Sequence, residues 1–251
     1  EFRRVLFRSH VRIKEIADNL YAGIDSPEWK LFQKCKAFNI AYFEGIVATL
    51  GSHFDSYIYE SEAGIEGKRI VQAHTPAVFT ESEGAVVYIP AQDTGLHTAV
   101  FLNSQGNPTY EAKDLGLLEL KFTRYNPDLS IFITDAQQVS HFDVVLDASR
   151  HIEPSWRERS LHRFHGRMSF KGQKMSSRLG GVPIVVDILN AVVGEVKEKN
   201  PDVTQDAAAQ IGIAALKFAI LRAMAGKNIN FDPDTSLSFE GDSGPYVQYT
   251  A

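Results

Sequence analysis

Lys174 stands in the run Gly172-Gln173-Lys174-Met175-Ser176-Ser177-Arg178-Leu179-Gly180-Gly181. A glycine-flanked stretch with one point charge and two small hydroxyls suits a polyphosphate whose charge grows during a reaction. The ammonium can follow the phosphoryl oxygens, while the hydroxyls and backbone N–H groups hydrogen-bond them. A Lys-Ser-Ser turn can equally be a plain solvated loop. A second candidate is Tyr110-Glu111-Ala112-Lys113-Asp114-Leu115-Gly116. If a helix begins near Glu111, Tyr110 and Asp114 project one turn apart toward the same side. That pair could grip a planar cation, the carboxylate through bidentate hydrogen bonds and the phenol through its oxygen or ring face. The alternative is a surface aspartate favoured by the positive end of the helix dipole.

Two further groups lie between these. Asp135-Ala136-Gln137-Gln138 directly follows the apolar run ending at Ile133. Ligands of open α/β sheets bind at the carboxyl ends of strands, so a glutamine here can read a substrate; a polar helix start is the plainer reading. His141 is taken as a structural or supporting group and not as a general base. In Leu161-His162-Arg163-Phe164-His165-Gly166-Arg167-Met168 the two histidines would point to opposite faces of a strand, which disfavours zinc. A nucleotide base lying against this backbone, with Gly166 permitting close approach, is the better functional reading.

The elements that must position these residues are legible in part. His10–Tyr21 carries a helical apolar stripe, and Ser26-Pro27 reads as an N-cap followed by a first-turn proline. The helix so begun runs to Leu50 and stops at Gly51, with Cys35 and the aromatics along it assigned to packing. Strands are expected at 85–89, 98–102, 129–133 and 161–170, and helices from about Glu111, from Gln138 to His151, and at 182–199 and 206–225. The stretch 227–244 reads as a connector, followed at Pro245 by the start of a helix. Strand–helix alternation in the second half predicts an α/β sheet with some parallel strands. The expected organisation is residues 1–9 disordered or foreign to the native protein, 10–80 a helical insertion, 81–226 the α/β core, and 227–251 the connector and helix start.

Composition narrows the class. The chain has 251 residues, 44% hydrophobic and 23% charged, with a formal net charge of −5. This is ordinary globular composition, and any nucleic-acid partner would have to use a local basic patch. One cysteine, Cys35, excludes an intramolecular disulfide and a multi-cysteine zinc site and fits a reducing cytosol. No apolar run is long enough to span a bilayer as a helix.

With those residues in view, Lys174-Met175-Ser176-Ser177 resembles the signature loop of class I aminoacyl-tRNA synthetases. Three further runs resemble the arginyl-tRNA synthetase family: Tyr110 to Gly116, His162…Gly166, and Phe239-Glu240-Gly241-Asp242-Ser243-Gly244-Pro245-Tyr246-Val247-Gln248-Tyr249. The resemblance implies the second half of a Rossmann-type nucleotide-binding catalytic domain with a helical/β insertion. It implies that Lys174, Ser176 and Ser177 act on the ATP phosphates while the arginine carboxylate attacks the α-phosphorus. It implies ATP contacts from His162, Gly166, Lys174 and Met175, and a guanidinium pocket of Tyr110, Asp114 and Gln138, with Gln137 as an alternative register. The implied ligands are L-arginine, ATP with Mg²⁺ as its substrate complex, and tRNA(Arg), in a cytoplasmic monomer with no resident metal, no prosthetic group and no membrane contact. Two features depart from the family pattern. Ser177 and Arg178 stand where its full loop has lysine and serine, and no His-Ile-Gly-His type motif occurs in the chain. The chain is therefore expected to be an internal piece of a synthetase, inactive alone. Three rivals stay open: a class I synthetase of other specificity, a truncated non-catalytic paralogue that binds tRNA or a partner, and an unrelated ATP-binding regulator.

Overall fold

A computed structural model of the chain describes residues 2–170, 184–232, 235 and 243–250. The chain divides into two compact units, one of residues 1–130 and 141–160, the other of residues 131–140 and 161–251.

The first unit opens with α1 (Phe2–Tyr21) and α2 (Pro27–Thr49). Ser26 caps α2 as its sequence requires, its hydroxyl accepting from the Trp29 N–H at 3.1 Å, and Gly51 follows the helix at φ 62°. The backbone is helical from Phe2; the stretch 2–9 contains no glycine or proline, and arginine and leucine favour a helix. One expectation changes here. Cys35 is exposed, and Val47 is the buried residue of α2. The aromatics of this helix stack on one another instead of filling a core: Trp29 on Phe32 at 5.6 Å, and Phe38 on Tyr42 at 6.4 Å.

The core of this unit forms where α3 (Glu60–Ala73) and α4 (Tyr110–Tyr125) meet the antiparallel sheet of β1 (Phe79–Ser82), β2 (Ala85–Tyr88) and β3 (Ala99–Leu102). Ile70 and Val71 of α3 share one buried cluster with Phe79, Phe101, Ala112 and Leu115, and with Val144, Val145 and Ala148 of α5 (Val139–Arg150). α3 and the strands therefore share one packed cluster that runs across residue 80. A short helix, α6 (Pro154–Glu158), closes the unit.

The crossing of α3 over α4 is made by glycines. A Cβ on Gly67 would overlap the carbonyl of Ala112, and one on Gly116 would overlap the carbonyl oxygen of Ala63 and the backbone of Gly67. Backbone touches backbone, and no side chain can shift to make room. Gly67→Ala or Gly116→Ala is therefore expected to lower the unfolding free energy by about 3 kcal/mol or more, read as a fall in the urea midpoint.

In the second unit, β4 (Ser130–Asp135) pairs with β5 (Ser160–His165), and β6 (Met168–Phe170) pairs in parallel with β7 (Ile229–Phe231). The expected strand 161–170 is thus two strands broken at Gly166-Arg167, and the expected connector contains a strand. Its helices are α7 (Val185–Lys199), α8 (Gln205–Leu221, capped by the Thr204 hydroxyl) and α9 (Gly244–Thr250). The backbone of α9 rests on α8, since a Cβ on Gly244 would press on the Cα of Ala215 at 2.6 Å.

Candidate functional site

The face of α4 decides where Tyr110 and Asp114 go. The helix begins at Tyr110, so the two residues stand one turn apart on the same side, as their spacing requires. Tyr110 is 68% exposed, and the Lys113 ammonium lies 5.1 Å from its ring centroid. Lys113 also pairs with Glu60 of α3 at 2.9 Å.

Asp114 is partly buried and already has a cation. His141, at the start of α5, places Nε2 2.6 Å from Asp114 Oδ2 and Nδ1 3.5 Å from Glu111 Oε1. The imidazole also meets Phe142 edge to face, with centroids 5.2 Å apart. Burial alone would lower the His141 pKa, but the two carboxylates outweigh it and push it up to about 9. Burial likewise works to raise the Glu111 carboxyl, while contacts from His141, its own backbone N–H and Thr109 hold it below the ordinary value. His141 is therefore an imidazolium at neutral pH, with a donor on each nitrogen and no lone pair to take a proton. One accepting site of the Asp114 carboxylate is occupied, so a guanidinium meets a partly used acceptor and not the free bidentate fork suggested by sequence.

This ion pair makes stability depend on pH. A histidine whose pKa is higher folded than unfolded adds stability that is complete below about pH 6.5 and is lost as pH rises through about 9. The loss is expected to reach about 3 kcal/mol. Urea unfolding at pH 6 and pH 10 measures it, and the difference should shrink in His141→Phe.

The second unit holds the other candidates. Asp135 ends β4 and caps the 3₁₀ turn Ala136–Gln138, accepting from the Gln137 N–H at 2.8 Å and from Arg167 Nε at 3.0 Å. The Arg167 hydrogen bond, then that N–H, hold its carboxyl below the ordinary value. Gln137 and Gln138 are both exposed. His162 Nε2 lies 2.8 Å from the Thr134 hydroxyl, whereas His165 Nδ1 turns to the Gly166 carbonyl at 2.9 Å. Gly166 has a structural reason of its own, since a Cβ there would overlap the Lys227 carbonyl. An open pocket of about 850 Å³ lies between this turn and the end of α8, lined by Asp135, Gly166, Arg167, Met168, Met224 and Lys227 among others. Lys174, Met175, Ser176 and Ser177 lie outside the described residues, as do residues 239–242 of the run from Phe239.

The model of the family "tRNA synthetases class I (R), catalytic domain" matches residues 68–232, well over half of the chain. The chain belongs to that family. Among curated members of the arginyl family, it is 30% identical over 227 residues to the arginine–tRNA ligase of Clostridium perfringens. It is 29% identical over 221 residues to that of Bacteroides thetaiotaomicron. These alignments take in 88% and 84% of this chain but 40% and 37% of the relatives, as the reading of an internal piece expects. The fold matches that of Thermus thermophilus arginyl-tRNA synthetase with a TM-score of 0.73 at 24% identity, over 96% of this chain and 47% of that one. The Plasmodium falciparum arginyl-tRNA synthetase gives 0.76 at 17% identity, over 98% and 43%. Both the α/β class I catalytic fold and the arginyl branch of the family were thus legible in the sequence. No helix among the described residues is long and apolar enough to cross a membrane.

Sequence reasoning missed the partner of Asp114. Two carboxylates one turn apart on a half-buried helix face, Glu111 and Asp114, demand a cation, and that demand was the signal that could have found His141.

Proposed function

We propose that this chain is the part of a cytoplasmic arginine–tRNA ligase that reads the amino acid and carries the loop that acts on ATP. The observation that carries the reading is the family match over residues 68–232, which spans Tyr110, Asp114, Gln138, His162, Gly166 and Lys174 in order. The complete ligase joins L-arginine to ATP, presented with Mg²⁺, forming arginyl-adenylate and releasing pyrophosphate. It then passes the arginyl group to the terminal ribose of tRNA(Arg), releasing AMP.

Each group on this chain has a part in that sequence. Asp114 and the exposed Tyr110 take the guanidinium, and Gln138 is a further reader of the same substrate. Asp114 and Tyr110 together select arginine over lysine because a planar fork reaches two acceptors at once, which a point ammonium cannot. His162 and the backbone at Gly166 receive the adenosine. Lys174 and the hydroxyls of Ser176 and Ser177 bind the phosphate oxygens as charge gathers on the transferring phosphorus, and Met175 lies against the nucleotide. Catalysis on this reading is positioning and charge stabilisation, with no covalent protein intermediate. The test is ATP–pyrophosphate exchange by the complete ligase: arginine should drive it and lysine should not. Exchange that ignores arginine would reject the proposal.

A further inference from the structure

We propose that His141 is a positioning residue for the arginine side chain: it takes Oδ2 of Asp114 and so presents Oδ1 to the incoming guanidinium in a fixed orientation. The proposal rests on the reading of Asp114 as the guanidinium acceptor and adds the group that aims it.

Three contacts fix the imidazole. Nε2 meets Asp114 Oδ2 at 2.6 Å and Nδ1 meets Glu111 Oε1 at 3.5 Å, while the ring edge or face meets Phe142. The His141 side chain is 17% exposed and that of Asp114 25%, so the donor sits deeper than the acceptor it holds. Asp114 Oδ1 makes no hydrogen bond among the described residues. A lone aspartate on a helix samples several side-chain rotamers, and binding must then freeze one of them. An aspartate pinned through one oxygen has lost that freedom before the substrate arrives, which is the condition for tight and oriented binding.

The charges agree with this division of labour. Among the described residues, the charged groups acting on the pair are Glu111 and Lys121, both on α4. Burial lowers the Lys121 pKa against the pull of Asp114, and its ammonium lies 3.1 Å from the Ser130 hydroxyl. His141 stands between the two carboxylates and offsets one of them. Asp114 Oδ1 is the carboxylate oxygen left to meet an arriving cation. His141 is excluded as a proton acceptor because both ring nitrogens already face carboxylates.

The experiment compares His141→Phe and His141→Gln in the complete ligase, by arginine-dependent pyrophosphate exchange. Phenylalanine keeps the ring packing and removes both donors; glutamine returns one amide donor near the position of Nε2. His141→Phe is expected to raise the KM for arginine about tenfold, the size of one lost charge-assisted hydrogen bond. The KM for ATP and kcat should stay within about twofold, and His141→Gln should recover most of the loss. An unchanged arginine KM in His141→Phe, or a glutamine variant as impaired as the phenylalanine one, overturns the proposal. If His141→Phe loses its cooperative unfolding transition, histidine NMR of the unaltered protein and of Asp114→Asn decides instead. The His141 ring should titrate well above ordinary histidine and fall back toward it in Asp114→Asn; an ordinary titration in the unaltered protein overturns the proposal. Asp114→Asn separates the two ideas. If it leaves the arginine KM unchanged, the site assignment fails; if it abolishes binding while His141→Phe does nothing, only the role of His141 fails.

Discussion

Asp114→Asn should lower kcat/KM for arginine activation by about a thousandfold in the complete ligase, with the KM for ATP little changed. The substitution keeps the shape of the side chain and removes its charge. Losing one partner of a desolvated, hydrogen-bonded ion pair costs about 2–5 kcal/mol, and about 4 kcal/mol within that range is a factor near a thousand. The cost has two sources here. The guanidinium loses its counter-charge, and His141 keeps only Glu111, 3.5 Å away, so the aim of the acceptor is lost along with its charge. Selectivity should also fall, because an amide discriminates poorly between arginine and a neutral analogue such as citrulline. Steady-state pyrophosphate exchange with arginine, lysine and citrulline measures all of this. An Asp114→Asn enzyme with ordinary arginine kinetics would move the guanidinium site elsewhere.

Lys174→Ala has a different signature. The lysine is proposed to bind oxygens whose charge grows at the transition state, so its removal should lower kcat by about a hundredfold or more. The KM for arginine should barely move, since that interaction is absent from the ground state. Single-turnover formation of arginyl-adenylate isolates this step from product release. Ser177 stands where the family loop has a lysine, so Lys174 is the one ammonium of the tetrapeptide Lys174–Ser177. A loss confined to KM would show that the loop binds nucleotide without stabilising the transfer.

Local chemistry made much of the fold readable, and tertiary contact explains what was not. The Ser26-Pro27 start of α2 announces itself because a hydroxyl and a fixed φ satisfy the first helical N–H groups. A helix start near Glu111 was the condition for a shared face of Tyr110 and Asp114, and α4 meets it by beginning at Tyr110. In contrast, α3 carries Gly64 and Gly67, which weaken a helix in isolation. Its stability comes from lying against α4, a contact between segments some fifty residues apart. The strand β7 is three residues long inside a polar stretch, and its parallel partner β6 lies sixty residues upstream, so no periodicity reveals it. The same holds at the candidate site: Tyr110 and Asp114, proposed to grip arginine, stand out in the sequence, while the Asp114–His141 pair spans 27 residues and two elements. Aromatic content misled on α2, where rings stacked along a helix look in sequence like rings facing a core.

The seat of α4 on α3 has a bearing on how recognition could change. Because the two main chains touch at Gly67 and Gly116, the helix bearing Tyr110 and Asp114 cannot be nudged outward or slid along its axis by small adjustments in the residues beneath it. Its pitch and height are those of a key cut to one lock. On the proposed function, a new amino-acid preference would come from exchanging the groups that project from that helix, since moving the helix would break the seat beneath it.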